Sequence, residues 1–157
     1  MIQLSFNRVN PLFIAAVVSL FAVGCSSGKK TKPGNNLGEI SFTVTGKEAA
    51  QPFFKKGLLL LHSFEYKDAA EEFQQARKLD PDFIMAYWGE SMTHNHPLWQ
   101  EQDFDEGHKI LNQLASTPEE RINKAATPLE KDFMGGINIL YGTGNKAERD
   151  SSYALYM

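Results

Sequence analysis

One cysteine, Cys25, stands among the 157 residues. The chain is therefore not a small secreted module held together by internal disulfides. A basic excess is also missing, since 16 Lys and Arg face 19 Asp and Glu for a net charge of −3. That balance argues against a nucleic-acid footprint, which needs a basic face. The main apolar run, residues 11–23, is shorter than the roughly 18 residues of a confident membrane span. Period-two alternation is scarce, and only residues 39–44 (EISFTV) read as extended. No nucleophile set assembles, because the one Cys precedes the folded part and the serines have no identifiable base. Gly142-Thr143-Gly144-Asn145-Lys146 lacks the spacing and preceding strand of a phosphate loop and reads as a helix-to-helix turn. What is left is a helical domain from about residue 37 onward with no legible catalytic machinery.

The N-terminus reads as an export signal over residues 1–24. Residues 1–10 carry one basic side chain, Arg8, and no acid; residues 11–23 (PLFIAAVVSLFAV) are almost wholly apolar; Gly24-Cys25 follows. A charged start, an apolar run and a small-residue cleavage site make a secretory signal. The cleavage region resembles a bacterial lipobox, in which a small residue precedes a Cys that is acylated and becomes the mature N-terminus. Gly24 and Cys25 match it, while Ala22 stands where leucine is usual. Ala22-Val23-Gly24 also suits ordinary signal peptidase, whose cut would fall before the same Cys25. A lone thiol has no intramolecular partner in an oxidising compartment, so acylation accounts for Cys25 better than a free thiol does.

Residues 25–38 then form a lipidated, flexible tether. Residues 26–36 (SSGKKTKPGNN) hold no hydrophobic side chain and cannot bury enough area to fold. Loss of the signal removes Arg8 and no acid, which takes the net charge to −4. Ser26 rather than Asp after the acylated position resembles outer-membrane sorting in Gram-negative bacteria. The expected location is the cell envelope, at the outer membrane and facing the periplasm.

Helix starts are marked by Thr45-x-x-Glu48, Thr117-x-x-Glu120 and Thr127-x-x-Glu130, each with capping-box spacing. Pro52 limits the first to a short turn, whereas Pro118 and Pro128 sit at the first helical position, where a missing N–H costs nothing. The pattern predicts helices over 52–62, 67–79, 82–93, 104–115, 118–125 and 128–141, with a last one opening near Ala147.

Residues 53–83 (FFKKGLLLLHSFEYKDAAEEFQQARKLDPDF) carry an ordered set of slots. Phe53 is the aromatic and Gly57 the glycine, and Leu60 is the large apolar residue. Ala69 and Phe73 form an Ala-x3-Phe pair, Ala76 continues that face, and Pro81 ends the unit. Gly57 and Ala69 suit the close approach of two antiparallel helices, with Phe53, Leu60 and Phe73 filling the space around them. A mid-helix Gly costs about 1 kcal/mol relative to Ala, so Gly57 asks for a packing reason. A weaker copy follows, in which Tyr87 and Ser91 match Phe53 and Gly57. Gly107 and Leu111 repeat the small-x3-apolar pair once the turn HNHPLWQEQ is allowed extra residues. A third begins at Pro128 with Phe133, Gly136 and Tyr141.

This order resembles the tetratricopeptide repeat, whose period is about 34 residues, as it occurs in exported bacterial proteins without an assigned activity. The resemblance runs over roughly residues 37–156 and is strongest in the first repeat. It implies an all-α fold, with antiparallel helix pairs stacked as a short α-solenoid over residues 39–157. It also implies a non-enzymatic adaptor without a cofactor, anchored to a membrane by lipid and holding a protein or peptide partner. Such proteins are usually longer. Tyr153, Leu155, Tyr156 and Met157 form an apolar end where a solenoid needs a polar cap, so a C-terminal truncation is expected.

Histidine is the one residue type gathered in a way that suggests chemistry. His94-Asn95-His96 offers two imidazoles, and zinc needs three or four ligands. Glu90, His62 and Asp103 are candidate thirds. His94 also fills the slot equivalent to Leu60, which makes it a packing residue, with His96-Pro97 as turn chemistry. Tyr66, Tyr87, Trp88 and Trp99 read as core and hairpin-tip packing. The alternative function is an exported metal- or ligand-binding protein that uses His94 and His96, as part of a longer enzyme.

Overall fold

A computed structural model of the chain describes residues 37–157. The expected signal, Cys25 and nearly all of the tether lie outside the described residues. The described part is mostly helical. Its helices are α1 (Gln51–His62), α2 (Tyr66–Leu79), α3 (Ile84–Met92), α4 (Phe104–Leu114), α5 (Pro118–Asn123), α6 (Pro128–Leu140) and α7 (Lys146–Tyr156). Between α3 and α4 lie two short antiparallel strands, β1 (Asn95–His96) and β2 (Glu101–Gln102), with Asn95 opposite Gln102 and His96 opposite Glu101. No described helix is long and apolar enough to cross a membrane.

The helix boundaries follow from local chemistry. Thr117 and Thr127 each accept the backbone N–H of the third helical residue, and Glu120 and Glu130 reach back to the cap N–H groups. Asn145 and Glu148 make the same reciprocal pair at α7. Asp80 leaves the helical region before Pro81, and α2 stops at Leu79. Thr45 makes no capping box. Its N–H and hydroxyl both donate to Glu130 instead, and the short 3₁₀ turn Glu48–Ala50 starts without a side-chain cap. Residues 39–44 join no sheet among the described residues, although their side chains alternate between packed (Ile40, Phe42, Val44) and exposed (Ser41, Thr43).

Consecutive helices pair as α1/α2, α3/α4 and α6/α7, with α5 between the second and third pairs. The first helices also meet in succession, α1 against α3 and α3 against α6. Helix α3 is buried over nearly its whole length because partners surround it.

Phe73 of α2 is fully buried at the centre of this packing. A Cβ at Gly57 would lie 2.9 Å from the Phe73 ring, and one at Gly89 would run into the same ring. Two glycines thus give a single phenylalanine its slot. Ala69 and Ala76 are buried on the same helix, Leu60 is buried on α1 and Tyr87 on α3, while Pro81 is exposed and its carbonyl accepts from the Tyr87 hydroxyl at 2.9 Å.

One sequence expectation needs correction. Phe53 is about one-third exposed and the hairpin is filled by Phe54, which is fully buried and contacts both Phe73 and Phe83. The cause is the register of α1, whose buried residues are Phe54, Gly57, Leu58 and Leu60. Ser91, the small residue one repeat length after Gly57, packs against α4 at Gly107, while Gly89 meets Phe73. Ser91 is buried one half-turn on, its hydroxyl donating to the Gly107 carbonyl and its own carbonyl accepting from the Tyr141 hydroxyl at 2.7 Å. Gly107 leaves room for that Tyr141 ring.

Candidate functional site: an apolar cavity beside Trp88

The first helices do not close completely on one another. A cavity of about 420 Å³ opens between Leu58 and Leu61 of α1, Trp88 and Met92 of α3, and Phe133 of α6. That volume lies in the range of small-ligand and anchor-residue pockets. Phe42 from the N-terminal segment forms a further wall, stacked 6.3 Å from Phe54 and edge-on at 5.7 Å to Phe133. Tyr153 of α7 contributes another.

Two lining residues carry a polar atom that is buried and without a hydrogen-bond partner, Trp88 Nε1 and Asn95 Oδ1. Each residue is only 7% exposed. Buried polar groups are nearly always paired, and an orphan costs about 1–3 kcal/mol. Both atoms have essentially no accessible surface, so they lie behind the cavity lining and do not open into it.

The mouth is aromatic and exposed. Phe64 and Trp99 are about half exposed and meet edge-on at 6.2 Å, and Tyr66 joins them at 6.3 Å from Phe64. Phe64 sits at φ +62° after the end of α1, in the left-handed region that usually falls to glycine. A bulky residue there costs about 1–3 kcal/mol. Its side chain gains little burial in exchange, so a large aromatic is held at the mouth at a net cost to stability.

Neither histidine of the 94–96 pair faces a metal cluster. His96 lies 4.1 Å from Tyr66, ring to ring, and its Nε2 is 2.9 Å from the Thr93 carbonyl. His94 is half-buried, and its carbonyl accepts from the Asp103 N–H at 2.9 Å. Among the described residues no three His, Cys, Asp or Glu side chains are placed to hold an ion. The Trp99 ring is about half exposed and meets Phe64, Tyr66 and His96 edge-on.

One carboxylate fixes the wall that carries Phe42. Glu130 is fully buried and accepts from Thr45, Ala126 and Thr127 N–H groups, with the Thr45 hydroxyl at 3.3 Å. Burial alone would raise its pKa, but the hydrogen bonds from Thr45 and Thr127 outweigh it and hold the carboxyl below its ordinary 4.5. A carboxyl depressed in the folded state contributes fully above the unfolded value and loses that contribution as pH falls through the folded one. Thermal stability is therefore expected to decline below about pH 4.5, with a shallower decline in Glu130→Gln. That variant should lose about 1–2 kcal/mol at neutral pH. An unchanged acid limb in the variant would mean that Glu130 does not titrate with folding.

Sequence reading overlooked the cavity itself, because its walls come from segments far apart in the chain. No family model, curated protein or solved structure matches this chain.

Proposed function

We propose that this chain is a non-enzymatic helical adaptor that holds a segment of another protein in the cavity beside Trp88. The observation that carries the reading is an apolar cavity with exposed aromatic side chains beside it at one place. The pairs α1/α2, α3/α4 and α6/α7 are read as three tetratricopeptide-like repeats with α5 inserted. Succession of their first helices, α1 to α3 to α6, supports that reading. The cavity then lies across the first helices, and repeat stacks offer their partners such a shared surface.

Peptide display on the purified chain tests it. Selection should enrich sequences with bulky apolar residues, and Leu61→Glu, which sets a charge in the cavity wall, should abolish their binding. Phe64→Gly should weaken them while leaving thermal stability equal or higher, since it removes the left-handed strain. Enriched peptides that bind both variants as tightly as the parent would reject this cavity as the site.

The adaptor is further read as lipid-anchored through Cys25 at the cell envelope, with residues 25–38 as tether. Mass spectrometry of mature protein from the membrane fraction should find an acyl adduct on Cys25 that Cys25→Ser abolishes. Mature protein in the soluble fraction with an unmodified Cys25 would refute the anchor.

A further inference from the structure

The segment at residues 39–47 is held unequally along its length. Its inner end is fastened at several points. Val44 is buried, and a Cβ at Gly46 would come within 2.9 Å of the Phe83 ring, so backbone and ring are in close contact there. The Thr45 N–H and hydroxyl donate to the Glu130 carboxylate, and the Lys47 N–H donates to Asp80 at 2.7 Å. Both carboxylates are buried. The Gln51 carboxamide donates to the Val44 and Gly46 carbonyls at 3.0 and 3.3 Å. The outer part is different. It enters the cavity through two half-buried side chains, Ile40 and Phe42, while Glu39, Ser41 and Thr43 are exposed. Ile40 and Phe42 line a space of about 420 Å³, so on one side they meet no close-packed atoms. Lifting them gives up little packing, whereas lifting the inner end breaks charge-assisted hydrogen bonds to buried carboxylates.

We infer that residues 39–43 are a lid over the cavity beside Trp88, hinged at residues 44–47 and clamped there by Glu130 and Asp80. The lid lifts to admit what the cavity holds and closes on it again. Phe42 is the side chain that shuts, against Phe54 and Phe133. The inference builds on the cavity of the adaptor reading, but the motion belongs to the free chain and is measured without a partner.

Alkylation of a thiol placed inside the cavity reads the lid directly. Leu58 lines the cavity and is 3% exposed. Leu58→Cys in the full chain carrying Cys25→Ser has a single thiol, since Cys25 is the one native cysteine. Iodoacetamide should modify it about a hundredfold more slowly than an unprotected cysteine peptide, because the lid is closed most of the time. The rate should hardly change with urea well below the unfolding midpoint, since a local opening exposes little surface. Phe42→Ala should raise it about tenfold through lost apolar contact. Ile110→Val, in α4 and outside the cavity lining, lowers global stability and should leave the rate unchanged. Met92→Cys, also in the lining, gives the same reading should Leu58→Cys not fold.

Modification as fast as in the free peptide overturns the inference, because the cavity would then stand open with the lid in place. A rate that climbs with urea as steeply as global unfolding, and answers to Ile110→Val as much as to Phe42→Ala, overturns it too, because the lid would not lift on its own. Amide exchange at Thr45 and Lys47 should follow global unfolding. Exchange of both by a urea-independent route would overturn the hinge, since the whole segment would then detach. A lid that opens as expected in a chain with no displayed binder would reject the adaptor reading and leave the lid standing.

Discussion

Gly89→Ala is expected to destabilise the chain by about 2 kcal/mol, although alanine is the better helix former. The gain from propensity is about 1 kcal/mol. Against it stands the Phe73 ring, which the new methyl group would overlap. The ring has little room to retreat, because Gly57 also lies against it and Ala69 and Ala76 are buried on its own helix. Overpacking of this kind costs about 1–3 kcal/mol and occasionally more, so here it outweighs propensity. The urea midpoint should fall with the slope unchanged. In a Phe73→Leu background the same Gly89→Ala change should cost less, since the smaller side chain gives up the contested space. Additive effects of the two changes would mean that Gly89 and Phe73 do not share one slot.

Arg121→Met should cost about 2–4 kcal/mol, the other large effect expected. Arg121 is 2% exposed and has no carboxylate within salt-bridge reach among the described residues. Its burial lowers the guanidinium pKa, with Glu120 partly opposing. Neutral oxygens hold it instead. Nε donates to the Ala115 carbonyl at 2.9 Å, and the two terminal nitrogens donate to Asn138 Oδ1 at 3.0 Å and Asn112 Oδ1 at 2.6 Å. One side chain thus joins the end of α4 to α5 and α6. Methionine retains much of the stem volume but none of the donors. It strands the buried Asn138 oxygen and the Ala115 carbonyl, at about 1–3 kcal/mol each, less what water recovers. Arg121→Lys should rescue little, because three donors on one nitrogen cannot span the same oxygens. Asn138→Leu combined with Arg121→Met should lose less than the two changes separately. A strictly additive pair, or a stable Arg121→Met, would show that the network contributes nothing.

Local chemistry was readable where the chain satisfies itself within a few residues. Thr117 with Glu120 and Thr127 with Glu130 placed α5 and α6, and Pro81 placed the end of α2. Reading failed where a distant partner competes. Thr45 has capping spacing to Glu48, yet Glu130 offers a buried carboxylate that takes both its donors. The register of α1 was displaced by one position, Phe53 for Phe54, because two adjacent phenylalanines fit the repeat pattern equally well until the facing Phe73 and Phe83 are known. Asn145 at the start of α7 falls outside the Thr-x-x-Glu pattern, although asparagine serves the same capping role.

The cavity was not legible for a similar reason. Phe42 and Phe133 meet across it from opposite ends of the described chain, and neither sits in a motif. Trp88 and Asn95 gave partial signals, since an indole N–H and a carboxamide normally find partners when buried. The left-handed Phe64 had no signal at all, because backbone conformation at a turn is not written in one residue type when that residue is not glycine.

The account turns on the cavity beside Trp88 being the working surface, and hydrogen exchange with a displayed-and-selected peptide tests that most directly. Binding should slow amide exchange in residues 57–66, in residues 88–97 and in the segment at residues 39–44, and leave α4 and α5 unchanged. Protection confined to α4 and α5, with those three segments unaffected, would contradict it.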